Sequence, residues 1–282
     1  MHGLHAARRR LLLLHRQYIV PTHSKLTNIR HFTSSHESKT PQQLEKGFDL
    51  ATGLWHRCTS RLSTLSEYQD KKIFNDSLSP LAQYWLFVQL QLPKETQINL
   101  LEFVEGASVA AEATLRAMNC DAFPKVLASE GENSLSEVED KIKMYTTPAH
   151  YNKMALQVKR NYLHRNFYIE CEDMKIERAQ VANAVYRRLT EKEYLDLVNF
   201  GKPVMTISPE ASIEHLSINV DIATVEDLKV VHLKNKPRYV QHQNVYRVVL
   251  ESRVTDHDKV DWRVENMHLI EQAVVPRTTT GG

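Results

Sequence analysis

Cysteine is scarce in this sequence, and the few cysteines lie far apart. There are three in 282 residues, Cys58, Cys120 and Cys171, and no CxxC pair is among them. An odd number of widely spaced cysteines supports neither a disulfide framework nor a zinc site. We therefore expect three reduced, part-buried thiols and no bound metal.

Long apolar runs and the usual enzyme signatures are missing as well. The densest apolar run, YWLFVQLQL at 84–92, is interrupted by two glutamines, whereas a membrane-spanning helix needs about 20 mostly apolar residues. No GxGxxG, phosphate loop, HExxH or GxSxG occurs, so the common nucleotide-binding, metallopeptidase and hydrolase motifs are absent. The sequence predicts no transmembrane segment, no cofactor and a non-enzymatic role.

Acidic residues are absent from residues 1–36, which contain six Lys/Arg and six His. Without this segment the chain has 30 basic and 34 acidic residues, a net charge of −4. An Arg-rich, Ser-rich, acid-free start is typical of a mitochondrial transit peptide. Its rivals are a secretory signal, whose apolar core would be only four leucines long, and a basic arm that binds nucleic acid.

We predict that residues 1–36 direct import and are removed. NIRHFTSS places Arg30 two residues before Phe32, with small hydroxyl residues after it, and we expect the mature chain to begin near Thr33. N-terminal sequencing of the mature protein checks this, and recovery of intact Met1 from the matrix would contradict it.

The spacing of apolar residues predicts helices first and strands afterwards. Helical spacing covers most of 44–212, and the alternating pattern of strands follows in 218–275. A fold of class α+β is therefore expected, with helices packed on an antiparallel sheet. The predicted helices are 44–68, 79–92, 98–118, 121–128, one that begins at 134, 147–165, 174–189 and 190–201. The predicted strands are 218–223, 228–233, 246–254 and 260–275.

The helix at 98–118 has small residues on one side. Its wet face carries Glu102, Glu105, Glu112 and Arg116. Its opposite side carries four small residues, Gly106, Ala107, Ala110 and Ala111. Small side chains let another backbone approach closely, and we expect these four residues to sit against the sheet rather than against a ligand.

A basic and aromatic patch is predicted at 141–168. No acid occurs between Asp140 and Glu170. Basic residues attract phosphates and aromatic residues suit interfaces, although a solvated helix face with tyrosines packed beneath it would give the same pattern. The residues predicted to contact a partner or an anionic surface are Lys153, Lys159, Arg160, Tyr162 and Arg165.

The other candidate side chains are explained without a catalytic or metal site. His232, His268 and Asp221 lie on predicted strands, but no acidic partner stands at a fixed spacing from His232. Asp256–Asp258 could bind a cation, but a solvated turn explains them better. None of these predicts a catalytic site.

Three segments resemble a known family: SPLAQYWLFVQLQL, LLEFVEGASVAAEATL and VDWRVENMHLIEQ. They resemble the Tim-forty-four-like domain family over residues 79–130 and 213–275. The resemblance implies a cone of the nuclear transport factor two-like type, with helices on a curved antiparallel sheet and Trp262 as a core anchor. We further predict an amino-terminal helical extension at 37–78, a domain at 79–275 and a flexible tail at 276–282. Residues 131–212 depart from the family, because this segment is longer and more helical than the family leads us to expect, and we predict it as a helical insertion in the domain.

The resemblance implies a mitochondrial matrix adaptor peripheral to the inner membrane. Such a protein would associate with the matrix AAA protease and hold newly imported inner-membrane precursors, such as the regulatory subunit of the calcium uniporter. A mitoribosomal protein or ribosome receptor is the first alternative. A small-molecule lyase or isomerase that uses the cone is the second.

Overall fold

The computed structural model describes residues 41–128, 137–202, 210–233 and 235–275. The predicted transit peptide, the tail and Ser134 lie outside these residues. The chain divides into two compact units between Arg61 and Leu62. Helix α1 (Pro41–Ser60) belongs to the first unit, so the single helix predicted at 44–68 is wrong: it is broken at Arg61, and α2 begins at Leu62.

The second unit contains seven helices in its described part, and their starts and stops follow local capping chemistry. The Ser79 and Thr147 side chains accept hydrogen bonds from the first turns of the helices that they precede. Thr190 and Glu193 form a capping box, and Gly201 ends that helix at φ 62°, a conformation that glycine adopts without strain. The helices are α2 (Leu62–Asp70), α3 (Pro80–Leu90), α4 (Leu100–Met118), α5 (Ala122–Ala128), α6 (Glu137–Tyr145), α7 (Pro148–Arg165) and α8 (Glu191–Phe200).

Four antiparallel strands form one sheet in the order β1-β2-β3-β4. They are β1 (Phe167–Leu189), β2 (Ile213–His232), β3 (Arg238–Arg253) and β4 (Arg263–Val275). The two runs predicted at 218–223 and 228–233 are one strand, β2, and a short 3-10 turn at His257–Lys259 joins β3 to β4. The predicted α+β class is confirmed.

The helix predicted at 174–189 is wrong, because these residues form most of strand β1. The register shifts between Ile176 and Arg178 and between Val181 and Asn183. Each shift is a bulge that adds one residue. The core-facing side chains therefore fall at unequal steps of two and three, which imitate helical spacing: Ile176, Ala179, Val181, Ala184 and Tyr186. The insertion at 131–212 is consequently not wholly helical.

The main core lies between α4 and one face of the sheet. Alternate residues of β2, from Leu216 to Ile222, are fully buried on this face. Ala107, Ala110 and Ala111 of α4 are buried in the same core. Trp262 packs against it just before β4 begins, with its ring 4.7 Å from that of Phe103 in an edge-to-face arrangement.

The prediction for Gly106 is wrong. Gly106 is exposed, and a Cβ atom added there would meet no heavy atom within 4 Å. The buried side of α4 includes Phe103, Val104 and Ala107 but not Gly106, because about 100° of rotation per residue carries Gly106 to the solvent-facing side.

None of the helices in the described part of the chain has the length and apolar character that a membrane crossing demands.

Candidate functional site

Helix α7 carries the predicted basic patch and is held at both ends by the sheet. At its start, the Thr147 backbone amide donates to the Val264 carbonyl of β4 at 3.0 Å. At its end, Asn166 adopts a left-handed conformation, φ 52°. The Asn166 carbonyl accepts a hydrogen bond from the Leu233 amide, just beyond β2, at 3.0 Å. One residue thus separates α7 from β1.

One side of α7 packs on helices α5 and α6. Met154 joins Phe123 and Ile142 in a small buried cluster, with Ala155 and Val158 against it. This apolar contact fixes the rotation of α7 about its axis. The residues on the opposite side are consequently turned to solvent.

The solvent-facing side forms a narrow line that alternates basic residues with leucines. We call it the α7 stripe: Lys153, Leu156, Arg160 and Leu163. These residues follow one another at steps of three and four, so they lie along one face. All four are exposed, and Leu156 and Leu163 keep 71% and 46% of their surface accessible. No described acid lies within ion-pair distance of Lys153 or Arg160, and the sequence of α7 contains no Asp or Glu.

The structure separates the five predicted contact residues. Lys153 and Arg160 lie in the stripe, whereas Lys159 and Arg165 are half-buried and have other interactions within the chain. Tyr162 is half-buried, with its ring 6.1 Å from that of Tyr168. The predicted patch is therefore smaller than its sequence suggests, and its leucines are an addition that the sequence pattern did not reveal.

Acids on α6 neutralise the start of the predicted patch. Lys141 pairs with Glu137 at 3.1 Å, and Lys143 pairs with Glu139 at 2.6 Å. The Tyr151 hydroxyl also donates to Glu139, at 2.8 Å. Burial, and then this hydrogen bond, raise the pKa of Tyr151 above its ordinary value. These side chains belong to the packing between α6 and α7 rather than to an open surface.

His150 lies buried in the first turn of α7. Its side chain is 4% exposed, and neither ring nitrogen has a hydrogen-bond partner among the described residues. Burial, and then the charge of Lys153, lower the pKa of His150 to about 4. The imidazole is therefore neutral at physiological pH. Its two buried nitrogens form no hydrogen bond among the described residues, which lowers the stability of the folded state.

A network of polar side chains lies on the same face of the sheet as the main core, further along the strands. This network was not predicted from the sequence. Thr224 donates to Glu226 at 2.6 Å, and the Tyr246 hydroxyl donates to the other carboxylate oxygen at 3.3 Å. Asn244 and Gln272 extend this inner-face network. Burial, and then the charge of Glu226, raise the pKa of Tyr246 well above its ordinary value. Polar residues in step with Ile222 in the alternating pattern were the signal that could have revealed it.

Of the three strand residues, Asp221 and His268 face Arg247 from the two neighbouring strands, whereas His232 pairs with Phe167 near one end of β2. Arg247 binds Asp221 through two hydrogen bonds of 2.7 and 2.8 Å, and Asn75 donates to the same carboxylate. His268 is exposed. The His232 ring lies 5.8 Å from that of Phe167. The Asp256–Asp258 segment is a turn in which Asp256 pairs with Lys259 at 2.8 Å.

The opposite sheet face holds a second missed pair of titratable groups. The His215 ring lies 3.2 Å from Glu251, and both are almost fully buried. Tyr194 of α8 contacts the His215 ring at its edge. Burial, and then the charge of Glu251, raise the pKa of the nearby Glu265.

In the described ranges, no three His, Cys, Asp or Glu side chains gather where they could hold a metal ion. Cys58, Cys120 and Cys171 are free thiols. No protein-family model matches the chain, and no curated protein matches it either.

Proposed function

We propose that the protein is a non-enzymatic mitochondrial matrix adaptor that works at the inner membrane. The α7 stripe is the observation that carries this proposal, because it combines basic residues with exposed leucines in a chain whose residues 37–282 have a net charge of −4. The resemblance to the Tim-forty-four-like domain family supplies the expected partners, the matrix AAA protease and the imported inner-membrane precursors that it would hold for maturation.

The proposal includes the cone of the nuclear transport factor two-like type. A four-stranded antiparallel sheet with α4 packed along its apolar face supports this finer description of the fold. Bulges in β1 and β4 support it further, since bulges bend strands.

The inner-face network gives less support to a lyase or isomerase. Glu226 is 1% exposed, and each of its oxygens already accepts a hydrogen bond. A general base must reach the proton that it removes, and this carboxylate is instead satisfied within the sheet. We therefore place function on the surface of α7 and not in the interior.

We expect the double variant Lys153→Gln, Arg160→Gln to leave the inner-membrane fraction of mitochondria. Each basic residue near an acidic surface contributes about 1 kcal/mol, so the loss is about 2 kcal/mol, or roughly 30-fold in partitioning. The measurement is the ratio of membrane-bound to soluble protein at low salt. Folding should be unaffected, because exposed charges add little to stability.

The matched control is Lys175→Gln, Arg188→Gln, which removes two exposed charges of β1. This control should fractionate like the wild type. Quantitative identification of co-purifying proteins then separates the hypotheses. Enrichment of the matrix AAA protease supports the adaptor. Sedimentation with mitoribosomes at high salt, without the protease, would replace the adaptor by the ribosome-binding alternative.

A further inference from the structure

Two exposed leucines on a basic helix need an explanation. Leu156 is the most exposed of the large apolar side chains in the described residues, and Leu163 lies two turns away on the same line. At 1.5 Å per residue, about 10 Å of helix axis separates them. Scattered exposed leucines are ordinary, but these two lie in line with Lys153 and Arg160. Any surface that contacts this side of α7 therefore contacts apolar and cationic side chains at the same time.

We propose that α7 lies in the plane of an anionic bilayer, with Leu156 and Leu163 inserted at the acyl boundary and Lys153 and Arg160 among the lipid phosphates. This inference rests on the proposed function only for where in the cell the contact occurs. Its physical basis is the combination of basic residues and leucines on one face of α7. Long basic side chains keep their charged tips at the headgroups while their stems lie along apolar surface, and interfacial helices combine such residues with leucine.

Charge complementarity favours a bilayer over other occupants. The acid-free run extends from Lys141 to Ile169, so an anionic surface meets no nearby acid on α7 itself. The α6 pairs at Lys141 and Lys143 lie beyond the start of the stripe. The charged residues of α7 itself are therefore all basic, and the charge of Lys153 also acts on Glu265 of the neighbouring strand β4.

The shape of the stripe argues against a protein as the occupant. A stable protein interface buries about 800 Å² per partner and is usually centred on a packed aromatic or arginine anchor. The stripe is a single line of four residues, none of them aromatic, and its one arginine, Arg160, is exposed on a convex helix face rather than set among other stripe residues. A bilayer needs no such pocket, because lipids rearrange around each inserted side chain. The small binding free energies of the individual side chains then add together.

The test uses the purified full chain and vesicles of phosphatidylcholine, with or without phosphatidylglycerol. We expect binding to the anionic vesicles. Lys153→Gln, Arg160→Gln should weaken that binding about 30-fold at low salt. Leu156→Ser, Leu163→Ser should weaken it about tenfold, and the residual binding should be more easily removed by salt, because its apolar part is gone. Leu81→Ser, at an exposed leucine of α3, is the control and should bind like the wild type.

Insertion itself is measured with lipids brominated on the acyl chain. Leu156→Trp should gain quenching over the wild type on anionic vesicles, whereas Leu81→Trp should not. Unchanged vesicle binding in both double variants would overturn the inference. If the leucine variant keeps vesicle binding but loses its co-purifying proteins, the stripe is a protein-docking surface, which overturns the membrane inference and leaves the adaptor proposal standing.

Discussion

Replacing Ala107 by leucine is expected to lower the thermal midpoint by roughly 2–12 °C. Ala107 is 1% exposed and lies in the main core between α4 and the sheet. Three additional carbon atoms must displace close-packed neighbours, which costs about 1–3 kcal/mol. For a unit of this size each kcal/mol corresponds to about 2–4 °C. Thermal unfolding followed by circular dichroism measures the change.

The neighbouring residue provides a matched control on the same helix. Gly106→Leu adds a larger group one position earlier, where a Cβ atom meets open space. Glycine is also a poor helix former, by up to about 1 kcal/mol relative to a good one. We therefore expect Gly106→Leu to raise the midpoint slightly. Equal destabilisation by both variants would show that the wet side of α4 is covered.

The stability of the protein is expected to fall between pH 6.5 and pH 4 through His150. The pKa of this group is about 4 in the folded state and 6.5 as its ordinary value. The unfolded chain therefore binds the proton first as the pH falls, and stability decreases in this window. The difference in pKa corresponds to about 3 kcal/mol. Above pH 6.5 the imidazole is neutral in both states and contributes no slope.

His150→Leu should abolish this part of the pH dependence. The variant should already be more stable at pH 7 by about 1–3 kcal/mol, since it removes buried nitrogens without partners, and its advantage should grow as the pH falls to 4. Urea unfolding across this range measures both effects. His164→Leu, at an exposed position of the same helix, is the control and should follow the wild type. A constant difference between His150→Leu and the wild type at every pH would contradict the assignment.

Much of the helical part was predictable because its boundaries are set by local chemistry. Ser79, Thr147, Thr190 and Gly201 mark helix ends through contacts within one turn. Strand β1 was not predictable in this way. The two bulges within 174–189 are set by pairing with β2, which lies far along the chain, and they interrupt the period of two on which strand prediction depends.

The helix that carries the candidate site was predictable from apolar spacing, because the prediction of 147–165 agrees with α7 to within one residue. The absence of acids from this helix was visible in the sequence as well. Which basic residues face solvent depends on the rotation of α7, and that rotation is set by Met154 packing on α5 and α6. Leu156 and Leu163 resemble core residues in the sequence, and only their place opposite this cluster shows that they are exposed.

The attachment of α7 at both ends bears on the entropy of binding. A hydrogen bond to Val264 holds its first turn, and Asn166, held by Leu233, leads straight into β1. A helix fixed in this way has already lost most of its backbone freedom on folding. A partner or surface that engages it therefore has little backbone left to order, and more of the contact energy remains as affinity. The α7 stripe is in this sense preorganised for the binding that we propose.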